Sequence, residues 1–97
     1  MNGDMAKVSL RAPHFIASGQ GRTRLSPQEA RLLYAVMARP LVTWDLASEV
    51  MWPSPDDLPD FWLDVLRSVA CRLNRRLRGH GWRVRREWGI GWRLERA

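Results

Sequence analysis

The segment "FWLDVLRSVACRLNRRL" constrains the fold most, because its apolar residues keep the period of an α-helix along its length. On a wheel of about 100° per residue with Leu66 at zero, three further apolar side chains fall within roughly 40° of Leu66. These four are Leu66, Ala70, Leu73 and Leu77. We therefore predict a long helix over residues 60–78, with Asp60 as its N-cap and Gly79 beyond its end.

The opposite face of this helix is rich in arginine. Five of its residues lie roughly 100° or more from Leu66 on the wheel. They are Arg67, Ser68, Cys71, Arg72 and Arg75. The planar guanidinium of arginine suits bidentate contact with phosphates and guanine edges. The pattern therefore favours a polyanionic partner over the alternative of a merely solvated surface.

The segment "WRVRREWGIGWRL" follows and changes to the period of a strand. Trp82 and Val84 alternate with Arg83 and Arg85, as expected for a strand with one buried face. The "GIG" sequence gives the backbone the freedom for a tight turn. We therefore predict a basic hairpin over residues 82–95 with arginines along one face.

Two shorter helices and several short strands are predicted before the long helix. In "LSPQEARLLYAVMARP", Ser26 is the N-cap and Glu29 completes a capping box, and in "VTWDLASEVMWP" the N-cap is Thr43. Short strands are predicted in "KVSLRA", "HFIAS" and "TRL". This order predicts an α+β winged helix-turn-helix fold: an N-terminal antiparallel sheet, three helices and a C-terminal β-hairpin wing.

The length and composition favour one small domain without bound cofactors. We predict a flexible tail at residues 1–4 and a single domain at residues 5–97. A single cysteine and the lack of an apolar signal segment favour a reducing cytoplasm, and we expect no membrane contact. Neither the cysteine nor the two histidines have the spacing of a metal site or a catalytic triad. We therefore predict no metal, no cofactor and no enzymatic activity.

Charge is unevenly distributed along the chain. Residues 41–66 carry six carboxylates and no Lys or Arg, whereas residues 67–97 carry ten arginines and two glutamates. This asymmetry indicates two partners of opposite charge, with a polyanion at the basic end. Three prolines stiffen the acidic loop "PSPDDLP", so the loop presents Asp56 and Asp57 with little conformational freedom to lose on binding.

Four segments of the chain, taken in order, resemble the DNA-binding domain of OmpR/PhoB-type response regulators. They are "LSPQEARLL", "VTWDLASEVMW", "RLNRRL" and "WRVRREWGIGWRL", and the resemblance runs from about Val8 to Leu94. It implies a four-stranded N-terminal sheet, a third helix that reads the DNA major groove, and a wing that reaches phosphates and the minor groove.

The resemblance also implies individual contacts. On the third helix the implied DNA contacts are Arg67, Ser68, Val69, Cys71, Arg72, Asn74 and Arg75. On the wing they are Arg86 and Trp88, and the strand alternation adds Arg83 and Arg85. The loop before the third helix touches RNA polymerase in this family, which makes Asp56 and Asp57 the expected polymerase contacts. Family members often bind DNA as tandem dimers, so the resemblance extends to a homodimer on DNA.

The chain departs from the family pattern in two respects. Family regulators carry a receiver domain of about 120 residues ahead of this module, whereas only 24 residues precede Leu25 here. The chain is therefore either a stand-alone regulator or a domain cut out of a longer one, and we expect the former. Val69 stands where the family often has histidine, and Arg67 where it often has an acidic residue, so the family's preferred DNA sequence is not transferred.

The sequence leaves two functions open. The first is a sequence-specific transcription regulator of double-stranded DNA, with the third helix in the major groove and the wing on the backbone and minor groove. The alternative is a protein-binding winged-helix adaptor that modulates RNA polymerase or another regulator. The acidic stretch in residues 41–66 supports the alternative.

Overall fold

The computed structural model describes residues 6–97, so the tail predicted at residues 1–4 lies outside the described part of the chain. Within these residues, three α-helices and six strands follow one another. They are β1 (Lys7–Val8), β2 (Phe15–Ser18), β3 (Gly21–Arg24), α1 (Pro27–Ala38), β4 (Val42–Thr43), α2 (Trp44–Met51), α3 (Trp62–Leu77), β5 (Trp82–Glu87) and β6 (Gly91–Arg96). A short 3-10 helix, Pro55–Asp57, lies between α2 and α3.

The N-terminal sheet is antiparallel, in the order β1-β2-β3. Within residues 6–97 this sheet has three strands, whereas the resemblance implies four. The first strand is also shorter than "KVSLRA", because the chain turns after Val8. The hydroxyl of Ser9 donates to the carbonyl of Arg11, and the His14 ring contacts the carbonyl of Ser9 at 3.1 Å. These local hydrogen bonds replace a longer strand pairing.

The first two helices begin where the sequence predicts. The Ser26 hydroxyl accepts from the Glu29 N–H at 3.1 Å, and the Glu29 carboxylate accepts from the Ser26 N–H at 2.9 Å. This is the predicted capping box. The hydroxyl of Thr43 accepts from the N–H of Leu46 at 3.2 Å and caps α2. Both N-terminal signals are confirmed.

The predicted N-cap of α3 is wrong. Phe61 occupies the N-cap position, Asp60 is exposed, and no side chain in the described part of the chain caps this helix. The N–H of Trp62 donates instead to the carbonyl of Pro59 at 3.1 Å, and the N–H of Val65 donates to the carbonyl of Phe61 at 3.0 Å. A backbone turn thus leads directly into the helix and takes over the role expected of the Asp60 carboxylate.

The core lies between the helices and is closed by the two sheets. The four apolar residues predicted to face inward from α3 are buried, which confirms the helical stripe. Ile16 of β2, Val84 of β5 and Trp92 of β6 pack against the same cluster. Helix α3 therefore has one face in the core and the opposite face free for other contacts.

The C-terminal sheet is larger than the predicted hairpin, because β4 pairs with β6 and gives the order β4-β6-β5. We call β5, residues 88–90 and β6 the wing. Gly89 has a φ of +71° and provides the tight turn. Gly91 has a different role from the predicted one: a Cβ there would overlap the carbonyl oxygen of Val42. Gly91 therefore permits the close approach of β4 to β6.

Candidate nucleic-acid interface

The exposed face of α3 carries most of the residues that the sequence assigns to it. Arg67, Ser68, Cys71, Arg72 and Arg75 are all exposed. An Nη atom of Arg67 lies 3.4 Å from an Oδ atom of Asp64, and the two side chains are 43% and 72% exposed, so this ion pair contributes little to stability. The predicted outward face of the helix is confirmed for these five residues.

Val69 does not belong to this face. Its relative exposure is 0%, and it packs in the core beside Leu66 and Leu73. The apolar stripe of α3 is therefore wider than the predicted one, and Val69 is one of its members. Because a buried side chain cannot reach a DNA base, the implied contact from Val69 is wrong for this structure.

Asn74 fixes the wing to α3. Its amide nitrogen donates to the carbonyl of Val84 at 3.0 Å, and its amide oxygen accepts from the N–H of Val84 at 2.7 Å. Both polar groups of the half-buried side chain are thus used within the protein. The structure makes Asn74 a residue that positions strand β5 against the helix, rather than one with free groups for reading a base.

A buried carboxylate holds two arginines on the other flank of α3. The side chain of Glu29 is only 2% exposed, and its two oxygens lie 3.7 Å from Nε of Arg72 and 3.5 Å from Nε of Arg76. The side chains of both arginines remain about half exposed. Glu29 therefore orients the inner edge of each guanidinium and leaves the outer nitrogens free for a ligand.

Arg76 is absent from the predicted site. It lies about 80° from Leu66 on the wheel, closer than the predicted outward residues. Its spacing of four residues from Arg72 is a signal that the sequence contains, since residues i and i+4 lie on the same side of a helix. The pairing of both arginines with one carboxylate depends on the position of α1, and no pattern within α3 reveals it.

Arg75 completes a group of three arginines with Arg72 and Arg76. The three side chains line a surface depression of about 280 Å³. Within residues 6–97, no acidic side chain forms an ion pair with Arg75, so its charge is not compensated by the protein. Arginine side chains that line one depression suit a phosphate group or an electronegative base edge.

The wing arginines are partly neutralised. Arg83 and Arg85 both bind Glu95, and Arg85 and Arg93 both approach Glu87, at 4.0 Å and 3.0 Å respectively. The hydrogen bond from Arg83, assisted by Arg85, holds the pKa of Glu95 below that of an unperturbed glutamate. Arg83 and Arg85 thus share one face of the wing, as predicted, but this face also carries acidic partners.

The tip of the wing carries a different pair of residues. Trp88 is 80% exposed, and the guanidinium carbon of Arg86 lies 4.2 Å from the centroid of its ring. Such a contact is a cation–π interaction, which keeps the charge and the aromatic ring together. The tip therefore presents a flat, cationic and aromatic surface.

Comparison with solved structures finds the same arrangement of helices and strands in another protein. The structure of the C-terminal domain of the nisin resistance regulator NsrR, a lantibiotic response regulator, is similar over 93% of each chain, with a TM-score of 0.70 and 21% identity. The fold is a winged helix. The resemblance to OmpR/PhoB-type domains is thereby confirmed at the level of the fold. Comparisons with protein-family models and with curated protein sequences found no match.

The loop before α3 of this winged helix is both acidic and apolar at its surface. Asp56 and Asp57 lie in the 3-10 helix and are exposed, as the sequence predicts. Leu58 and Phe61 are 38% and 74% exposed beside them. The exposure of these two apolar side chains was not predicted, because apolar residues at this point of a sequence are equally typical of the buried start of a helix.

Two further observations complete the description of the winged helix. Within residues 6–97, no helix is long and apolar enough to cross a membrane. The same part of the chain contains no group of three or more His, Cys, Asp or Glu side chains placed to hold a metal ion.

Proposed function

We propose that this protein binds double-stranded DNA sequence-specifically and regulates transcription. The observation that carries the proposal is the exposed arginine face of α3, which is fixed on one flank by Glu29 and on the other by Asn74. A helix held on both flanks loses little freedom on binding, and binding sites benefit from such preorganisation.

Helix α3 has suitable dimensions for the major groove. An α-helix with its side chains is about 10–12 Å across, and the major groove of B-DNA is about 12 Å wide. In this arrangement Arg75 reaches base edges, together with Ser68, Cys71 and Arg67. Arg72 and Arg76 contact phosphates or guanine through the nitrogens that Glu29 leaves free.

The wing supplies the second part of the interface. Arg83 and Arg85 bind phosphates, but they must exchange their carboxylate partners for them. Their contribution is therefore smaller than that of an arginine without such partners. Arg86 at the tip has no acidic partner within residues 6–97 and is expected to contribute more.

Selection from a randomised duplex library at about 150 mM salt tests the proposal, because non-specific phosphate contacts are already weakened there. The protein is expected to enrich one motif. Arg75→Ala should weaken binding to that motif by roughly 1–3 kcal/mol more than it weakens binding to random duplex. We expect Arg72→Ala to do the same and Arg85→Ala to weaken all duplexes about equally.

Arg39→Ala is a matched control for Arg75→Ala. It removes the same charge at the C-terminal cap of α1, and ten residues of helical rise place this cap about 15 Å from Glu29. We expect Arg39→Ala to leave the specific affinity unchanged. Equal losses on motif and random duplex for Arg75→Ala would contradict sequence reading by α3.

A second function, binding of RNA polymerase or another regulator, is favoured by the loop before α3. Leu58 and Phe61 provide exposed apolar area next to Asp56 and Asp57. This combination suits a basic and apolar partner surface. Capture of purified RNA polymerase by the native protein should fall for Asp56→Lys combined with Asp57→Lys, and unchanged capture would argue against this loop as the contact.

We also propose that two copies pair on DNA in the cytoplasm. The resemblance to regulators that bind as tandem dimers supports the pairing. The lone cysteine, typical of a reducing compartment, supports the location in the cytoplasm. The spacing of repeats in the selected motif measures the pairing directly. A single half-site in every selected sequence would contradict it.

A further inference from the structure

The tip of the wing combines exposure with rigidity, although exposed turn residues are often mobile. Trp88 is 80% exposed, and Ile90, two residues along, is 48% exposed. The carbonyl of Ile90 accepts a hydrogen bond from the N–H of Trp44, the first residue of α2, at 3.0 Å. The N–H of Ile90 donates to the carbonyl of Glu87 at 3.1 Å and closes the turn. Two apolar side chains are thus held outward by a braced backbone.

The position of the tip relative to α3 is also fixed. Asn74, in the second half of α3, clamps Val84 through both of its backbone groups. Trp88 lies four residues further along the wing, which corresponds to about 13 Å at the rise of a β-strand. This distance is close to the width of a major groove, about 12 Å. A wing of this length that crosses the phosphates bordering the major groove therefore ends at the adjacent minor groove.

The charge at the tip favours nucleic acid as the group that covers Trp88. The Arg86 guanidinium stacks on the ring and carries a positive charge to the same place. The other wing arginines that pair with Glu87 and Glu95 contribute less net charge. The minor groove attracts arginine, and apolar side chains inserted there unstack base steps and kink the duplex.

We propose that Trp88, with Ile90 beside it, is a wedge that enters the minor groove and partly unstacks one base step, while Arg86 anchors it. This inference rests on the proposed DNA-binding function. The preferred DNA therefore has a readily deformed pyrimidine–purine step, such as TA or CA, at the position of the wing. The wedge bends the duplex and contributes specificity at a position that α3 does not touch.

Bending and unstacking can be measured on the selected duplex. Donor and acceptor dyes at its two ends report the bend, and 2-aminopurine replacing each adenine in turn reports unstacking through its fluorescence. Trp88→Ala is compared with Trp88→Phe, which keeps an aromatic ring. Tyr34→Ala is the matched control, because it removes an exposed aromatic ring of α1, outside the wing and outside both proposed binding surfaces. Thermal unfolding of each variant verifies that it is folded.

The native protein, Trp88→Phe and Tyr34→Ala are expected to bend the duplex and raise the fluorescence at one step. Trp88→Ala should lose both signals and bind about tenfold more weakly, since stacking of one base on an aromatic ring has an effect of this size. Its salt dependence should not change, because no charge is removed.

The outcomes separate the wedge from the proposed function. If the native protein binds the duplex without bending or unstacking it, the wedge is overturned and the DNA-binding function stays intact. The same holds if Trp88→Ala binds with native affinity and bends the duplex as the native protein does. Native protein that binds no duplex would overturn both. In that case a protein partner becomes the better explanation for the exposed tip.

Discussion

Substituting Glu29 and substituting its partners Arg72 and Arg76 should lower the free energy of unfolding by very different amounts. The carboxylate is 2% exposed, whereas the side chains of Arg72 and Arg76 are 46% and 51% exposed. When the carboxylate is neutralised, both guanidinium groups can turn into water. When both arginines are removed, the charge of Glu29 stays buried without a compensating cation. The second change is therefore expected to cost much more.

The expected decreases in the free energy of unfolding follow from these exposed fractions. Glu29→Gln keeps the shape of the side chain and an oxygen for the Ser26 N–H, so it should lower the free energy of unfolding by about 1 kcal/mol, the size of half-solvated ion pairs. Glu29→Ala also removes the capping-box acceptor and should lower it by about 2 kcal/mol. Arg72→Ala combined with Arg76→Ala should lower it by about 3 kcal/mol, because a buried charge is left unpaired.

Urea denaturation followed by tryptophan fluorescence measures these differences. The decisive variant combines all three substitutions, Glu29→Gln, Arg72→Ala and Arg76→Ala. It should be more stable than the variant that lacks only the two arginines, because the unpaired charge has gone. If adding Glu29→Gln lowers stability further, the reasoning from the buried carboxylate is refuted.

Three other predictions concern the wing. Gly91→Ala should lower the free energy of unfolding by about 1–3 kcal/mol, because its Cβ would meet the backbone of β4, and urea denaturation would measure this. Asn74→Ala leaves two backbone groups of β5 without partners and should cost about 1–3 kcal/mol, with faster hydrogen exchange in β5 as the readout. The lowered pKa of Glu95 implies that its pairing stabilises the fold at any pH above the pKa that Glu95 has in the unfolded chain. This stabilisation is lost as the pH falls through the pKa of Glu95 in the folded protein. In an NMR titration, Arg83→Met should raise the midpoint of Glu95, and an unchanged midpoint would contradict this pairing.

The sequence by itself determined the elements whose signals are local. The capping box of α1 needs only Ser26 and Glu29 three residues apart, and the buried stripe of α3 needs only the helical period, so both were predicted correctly. The order of strands, helices and hairpin was enough for the winged-helix fold. Local hydrogen bonds and periodicity do not depend on what packs against them, which is why these predictions succeeded.

The tertiary structure decided how the same residues are used. Glu29 caps its own helix by a local rule, but its pairing with Arg72 and Arg76 requires α1 to lie beside α3. Asn74 and Gly91 were assigned to DNA contact and to a turn, and their roles became clear only when β5 and β4 were placed against them. Each of these contacts joins residues that belong to different helices or strands. Their energies depend on burial and close approach, and neither quantity is encoded in the spacing of residues along one segment.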